Sequence, residues 1–437
     1  MSGSFLQDLD LVAANGEGEA PAWLLPLRLK ARERFEVLGF PTTRDEDWKF
    51  TSVAPIAQGR FQRPNPGVAD APASSLVRAL LLGAGEWCEL VFVNGRFSPE
   101  LSDLRSVPEG VTVSSLAQAV EQNPGLLQKH LGHSAEFENN AFTALNTAFL
   151  GDGAFVHVPA GTRVATPIHL LFLTHGSAGG VATHPRNLIV ADTSAEVTVI
   201  ESYAGTQGTV YFTNAVTEVV VGANSRVEHL KLQRESELAY HVGTLEARQQ
   251  RDSRFRSFSF AIGGAIARTN IYSVMTGENS DCTMNGLYLL HGTQHIDHQT
   301  RIEHAFPNCT SREVYKGILD GSSHAVFNGK VYVRPEAQKT DGKQTNKNLL
   351  LSEGAKIDTK PQLEIFADDV KCTHGATVGR LDDLGLFYLE SRGIPAPLAR
   401  RMMTYGFAAD VLGEVGQEPI RQRLEQLVFE RLETPKL

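Results

Sequence analysis

Cysteine is scarce in this sequence: Cys88, Cys282, Cys309 and Cys372 are the only four, and no two share a CxxC spacing. That excludes a disulfide framework and a cluster held by four neighbouring thiolates, and it suits a reducing compartment. Basic charge is also in short supply. Lys and Arg number 41 against 50 Asp and Glu, and the net charge of −9 argues against a footprint for nucleic acid or an anionic membrane. Apolar runs such as Ala79-Leu80-Leu81-Leu82 fall far short of the roughly 20 residues that span a bilayer. The stretch Met1 to Asp8 lacks a basic start followed by an apolar segment, so the expectation is no secretory signal and a cytoplasmic address. No Gly-x-x-x-x-Gly-Lys-Ser/Thr loop occurs, so any ATP chemistry belongs to a partner, and no Gly-x-Ser-x-Gly elbow supports a hydrolase.

What is present falls into three regions. Residues 1–150 mix helical patterns with short strands. Trp23, Leu24, Leu27, Leu29, Phe35 and Leu38 predict an amphipathic helix starting near Pro26, with Gly39 just past its end. Pro41 to Phe50 reads as a capped helix entry with Trp48 buried, and Leu90 to Arg96 as a strand entering a tight turn. Residues 151–376 are β-rich, with turns around Ser194, Ser225, Ser253, Ser280 and Ser311 and two more, in a shifted register, around Ser323 and Gly354. A weak repeat of about 30 residues made only of strands predicts a coiled parallel β-solenoid. An antiparallel sandwich of regular hairpins is the alternative. Residues 377–437 turn helical, with Asp382 and Asp383 at one helix start and Gly393-Ile394-Pro395 after its end.

Two stretches invite a metal. Lys360 to Gly375 alternates like a strand and ends in Cys372-Thr373-His374, whose i and i+2 side chains share a face. A soft sulfur beside an imidazole suits iron, zinc or an iron–sulfur cluster, but two ligands do not close a site that needs about four. The missing ligands must come from elsewhere, such as a second chain. Folding offers one other route, since Cys282 and Cys309 lie close to one repeat apart. The second stretch, His291 to His304, is richer in histidine and reads as mainly structural. On a strand His295 and His298 face opposite sides, and His298 and His304 sit about 20 Å apart.

The motifs around Cys372 and His374 resemble the SufB/SufD family of iron–sulfur cluster assembly proteins. The residues that carry the likeness run from Tyr315-Lys316-Gly317-Ile318-Leu319-Asp320-Gly321 through Ala337 to Asp341 and Asn346 to Ser352. They continue past His374 into Gly375 to Arg380 and Leu386 to Ile394. Few cysteines, and Gly375 where a SufB-like chain more often has glutamate, place the chain nearer SufD. The resemblance implies a right-handed parallel β-helix core flanked by an N-terminal mixed, largely helical region and a C-terminal helical domain. It also implies a non-catalytic scaffold. His374 and Cys372 would lie where the chain meets a SufB-like paralogue, at a nascent cluster shared between them and not held tightly by this chain alone. The C-terminal helices would dock a SufC-like ATPase, with Phe387, Tyr388, Met402, Met403 and Phe407 as the apolar candidates. A homodimer of the isolated chain, or of a SufB-like paralogue, stays open. The rival class is a β-solenoid enzyme acting on acidic polysaccharide, for which Asp368, Asp369 and Arg380 are the residues to watch.

Overall fold

The computed structural model describes residues 21–64, 72, 74–83, 86–176 and 180–433. The stretch Met1 to Asp8, read above for a leader, lies outside them. From residue 154 to residue 379 the chain is almost entirely strand, wound into a parallel β-solenoid of about 8 turns, with no helix interrupting it among the described residues. Successive strands alternate between two sheets. One, the first sheet, ends in Val370–Gly379, and the other, the second sheet, ends in Lys356–Ile365. The pairing is parallel and in register over nearly every residue of each strand in the later coils. The first sheet reaches back into the N-terminal region, where Cys88–Val93 pairs in parallel with Ile168–Thr174. Asn94 and Gly95, both at positive φ, then turn the chain tightly into Arg96–Phe97, as Leu90 to Arg96 had suggested.

One device sets the coil length. A residue in the left-handed region recurs at Ser194, Asn224, Asp252, Asn279, Asn308 and Lys339. Asn, Asp and Ser tolerate that conformation because their short polar side chains bond locally. The next residue is usually a hydroxyl that donates to the carbonyl three residues back. Ser225 reaches Gly222 O at 2.7 Å and Thr340 reaches Ala337 O at 2.8 Å. Cys309 fills the same place after Asn308, its sulfur 3.4 Å from Gly277 O, so its position is explained by the corner. The corner expected at Ser311 is therefore at Asn308. Ser311 itself is two residues into the strand Thr310–Leu319, buried and bonded to His304 Nε2 at 2.9 Å.

Both outer faces are covered. Helices Leu25–Leu38 and Ala141–Ala148 lie on the second sheet, with Phe35, Phe142 and Phe149 packed against Phe212 and Val242. Beside them Arg186 and Glu218 form a fully buried pair at 2.7 Å, and Glu218 also accepts from the backbone N–H groups of Gly132, Ser134 and Ala135. A buried charge held this way is paired and hydrogen-bonded, as burial requires. The helix Leu25–Leu38 ends at Gly39 as expected. The segment after it, read as a capped helix entry with Trp48 buried, forms a single 3₁₀ turn, Glu46–Trp48, and Trp48 is half-buried. Its ring packs on Phe142 at 5.2 Å, and the Arg268 guanidinium lies 3.7 Å from the ring centre. At the other end of the chain, helices Ala396–Leu412 and Glu418–Glu433 cover the first sheet. Ala408, Val411, Leu412, Leu424 and Val428 meet Leu230, Leu232, Phe258, Phe260 and Leu287.

Candidate functional site

The solenoid interior carries polar side chains along its length. Among Val, Ile, Leu and Phe, the earlier coils bury Glu201, His229 and Lys231, with Glu201 accepting from Thr217 Oγ1 at 2.7 Å across the interior. Later coils carry inward polar side chains, including His298, Glu313, Gln344, Asn346 and Asn348, all nearly inaccessible. Room for them comes from glycines on inward positions. A Cβ at Gly317 would lie 2.2 Å from the Tyr288 ring and 2.5 Å from Asn348 Oδ1. One at Gly329 would lie 2.2 Å from Gln344 Nε2. The polar groups bond mainly to one another. Asn348 donates to Asn346 Oδ1 at 2.6 Å, and Tyr288 donates to Asn348 Oδ1 at 2.7 Å. Thr359, on the last strand of the second sheet, donates to Asn346 Oδ1 at 2.9 Å and ties the final coil to this network.

Both sheets stop after that coil. Lys356–Ile365 and Val370–Gly379 each pair with one neighbour, so each leaves an edge of free backbone donors and acceptors. Long uncovered edges are templates for pairing with another chain. The inward face of the last coil is correspondingly open, and Val378 is 49% exposed there. Cys372 and His374 sit on the strand Val370–Gly379 at positions i and i+2, in register with Gly342 and Gln344 of the strand before it. The two side chains therefore share the inward face, as the alternation had indicated. Cys372 is half-buried against the cluster of Val331, Val333, Ala337 and Ala367, and that burial pushes its thiol up from the ordinary range. His374 is exposed.

The other cysteines stay away from this pair. Cys282 lies in the same inward column as Cys372, with Ser311 and Gly342 between them. Three strand spacings put the two sulfurs on the order of 14 Å apart. Burial pushes the Cys88 thiol up to about 12 and raises those of Cys282 and Cys309, the mark of inert thiols. Among the described residues no group of three or more His, Cys, Asp or Glu is placed to hold a metal ion. The histidine-rich strand His295–His304 is accounted for by packing: His298 stacks on Tyr288 at 5.1 Å, whereas His295 faces the outer side and lies 2.9 Å from Thr51 Oγ1. Asp368 and Asp369 are at one end of the last strand and Arg380 beyond the other, about 30 Å apart, so they form no acidic-sugar groove.

The helix Asp383–Ser391 follows directly, capped by Asp382, whose carboxylate accepts from the N–H groups of Leu384 and Gly385. Of the five apolar candidates, Phe387 is 71%, Tyr388 57% and Met402 45% exposed. Leu384 and Leu398, not singled out from the sequence, extend the same patch at 78% and 41%. Met403 is half-buried and close-packed on Gly385, and Phe407 is half-buried with Lys316 Nζ 4.6 Å from its ring centre. These two hold the helices in place.

Gln344 is the residue at the open end that the sequence reading passed over. Its position in a polar run, Lys343-Gln344-Thr345-Asn346, gave no sign that it points inward, because inward polar residues break the usual apolar alternation.

Comparison with known proteins agrees with this geometry. Residues 172–407 match the family described as SUF system FeS cluster assembly, SufBD core domain, and residues 14–170 match the SufBD protein N-terminal region. The chain belongs to the SufBD family. It is 35% identical to the iron–sulfur cluster assembly protein SufD of Escherichia coli, over 90% of each chain. An iron–sulfur cluster assembly SufBD family protein of Synechocystis is 34% identical over 94% of this chain and 92% of its own. SufD of Bacillus subtilis is 30% identical over 94% of both. Membership places this SufBD-family chain among proteins of iron–sulfur cluster assembly. Among the described residues no helix is long and apolar enough to cross a membrane.

Proposed function

We propose that this chain is a scaffold subunit of a SUF-type assembly complex, without catalytic chemistry of its own. It pairs through the open end of its solenoid with a SufB-like paralogue and shares a nascent iron–sulfur cluster, the cargo of the complex, at Cys372 and His374. The observation that carries the reading is the last coil. A sulfur and an imidazole share one inward face, on an uncovered edge strand, and among the described residues no third His, Cys, Asp or Glu joins them in a metal-holding group. A second chain laid on that edge would complete both the backbone pairing and the coordination shell. A site divided in this way releases its cluster when the chains separate, which suits a scaffold that hands the cluster on. The exposed Leu384, Phe387, Tyr388, Leu398 and Met402 surface is the docking face for a SufC-like ATPase. Hydrolysis there would move the helices relative to the shared interface.

The test is anaerobic reconstitution of this chain alone, with the paralogue, and with both partners, reading bound iron and sulfide. His374→Ala should leave the complex assembled and lower cluster loading about tenfold or more, in line with loss of a ligand. Loading at the wild-type level would remove His374 from the site. A stoichiometric cluster on the isolated chain that survives gel filtration would overturn the divided-site reading.

A further inference from the structure

The Gln344 amide is held from two sides and has one unused valence. Its Nε2 donates to Glu313 Oε2 at 2.7 Å. The side chain lies over Gly329, the only residue type that leaves room for it there. Its Oε1 is buried and has no hydrogen-bond partner. A buried acceptor left empty is costly, and native structures rarely keep one without a use.

The in-register neighbour on the free side is His374. Both side chains point inward from strands about 4.8 Å apart, so a turn of the exposed His374 side chain would bring its imidazole to the amide oxygen, a bond not formed in this structure. Among the described residues no further coil follows Val370–Gly379. An imidazole that gives one nitrogen to a metal normally donates its other N–H to an acceptor, and that bond fixes tautomer and ring orientation. Glu313 decides which end of the amide is offered. While Glu313 is ionised, a flipped amide would set Oε1 against a carboxylate oxygen and turn an N–H donor toward His374.

We infer that Gln344 is a positioning residue for His374: its Oε1 accepts one imidazole N–H and leaves the lone pair of the other nitrogen aimed at the shared cluster site. Glu313 and Gly329 hold the amide in that orientation. The inference rests on His374 being a ligand, as proposed above.

Two readouts test it. The first is the His374 tautomer by nitrogen-15 NMR of the histidine-labelled full chain, with His374→Ala to assign the signal. The second is Co(II) affinity of the chain paired with its paralogue. Gln344→Leu removes the acceptor, the double variant Glu313→Gln/Gln344→Glu exchanges amide and carboxyl and so keeps an acceptor beside His374, and Gly329→Ala displaces the amide without changing its chemistry. Gln344→Leu and Gly329→Ala should each mix the tautomers and weaken Co(II) about ten- to hundredfold. The double variant Glu313→Gln/Gln344→Glu should keep one tautomer and near wild-type affinity, which loss of folding could not produce. If His374→Ala weakens Co(II) binding but Gln344→Leu and Gly329→Ala leave tautomer and affinity unchanged, positioning by Gln344 is wrong and the site stands. If His374→Ala itself leaves Co(II) affinity unchanged, the site proposed at His374 is wrong, and the role of Gln344 falls with it.

Discussion

Glu313 carries a carboxyl into a place with little water. Burial pushes it up to about 7, against hydrogen bonds from Gln344 and Thr300 that pull the other way. In the unfolded chain the same carboxyl titrates in the usual range near 4.5. A carboxyl whose folded value is raised stabilises the fold fully below its unfolded value, and that contribution is lost as pH rises through about 7. Glu313→Gln removes the ionisation and keeps an acceptor for Gln344. The variant should gain on the wild type by on the order of 1–3 kcal/mol between pH 5 and pH 8. Urea midpoints at the two pH values measure it, and an equal difference at both would show that the Glu313 carboxyl does not titrate in this window.

Among the elements, the helix Asp383–Ser391 stands apart from the two that follow it. Its only buried residue is Leu386, whereas Ala396–Leu412 and Glu418–Glu433 each bury several side chains against the first sheet. A charge at an exposed position of such a helix changes stability by about 0.5 kcal/mol or less. Phe387→Asp should therefore unfold at the wild-type temperature while binding of the ATPase subunit drops at least tenfold by calorimetry. Unchanged binding would move the docking face elsewhere. The corners teach a different lesson at this scale. The reading from serines found the repeat and misplaced one corner, because at Asn308 the hydroxyl is replaced by the thiol of Cys309.

For the whole molecule, the solenoid is one core shared by its coils and roofed by both termini. In a bare solenoid, loss of a terminal segment spares the remaining coils, because each coil contacts chiefly its neighbours. Here the final helices cover Leu230, Leu232, Phe258, Phe260, Leu287 and Ile318. A chain truncated after Gly379 would present that row to water. It should be recovered mainly as aggregate, and Leu412→Asp in the full chain should lower its stability by several kcal/mol, as for an unpaired charge placed in a core. A soluble, cooperatively unfolding truncated chain would show that the solenoid stands without its roof. The N-terminal segment reaches the open end as well, since Glu46 is paired with Lys360 on the last strand of the second sheet.

The sequence alone determined the coil repeat, the three-part order, the helices at Leu25–Leu38 and near the C-terminus, and the shared face of Cys372 and His374. These are short-range properties, set by side-chain period, by corner residues that accept the left-handed region and by capping carboxylates. Only the tertiary structure decided which end of the solenoid is uncovered, that Cys282 is three strands from Cys372, and that Met403 and Phe407 support the exposed patch formed by Phe387 and Tyr388. It also brought Gln344 beside His374 and Gly329 beneath Gln344. Those neighbours are about 30 and 15 residues apart in the chain. Contact between them depends on register across stacked coils, and a shift of one residue turns every inward side chain outward.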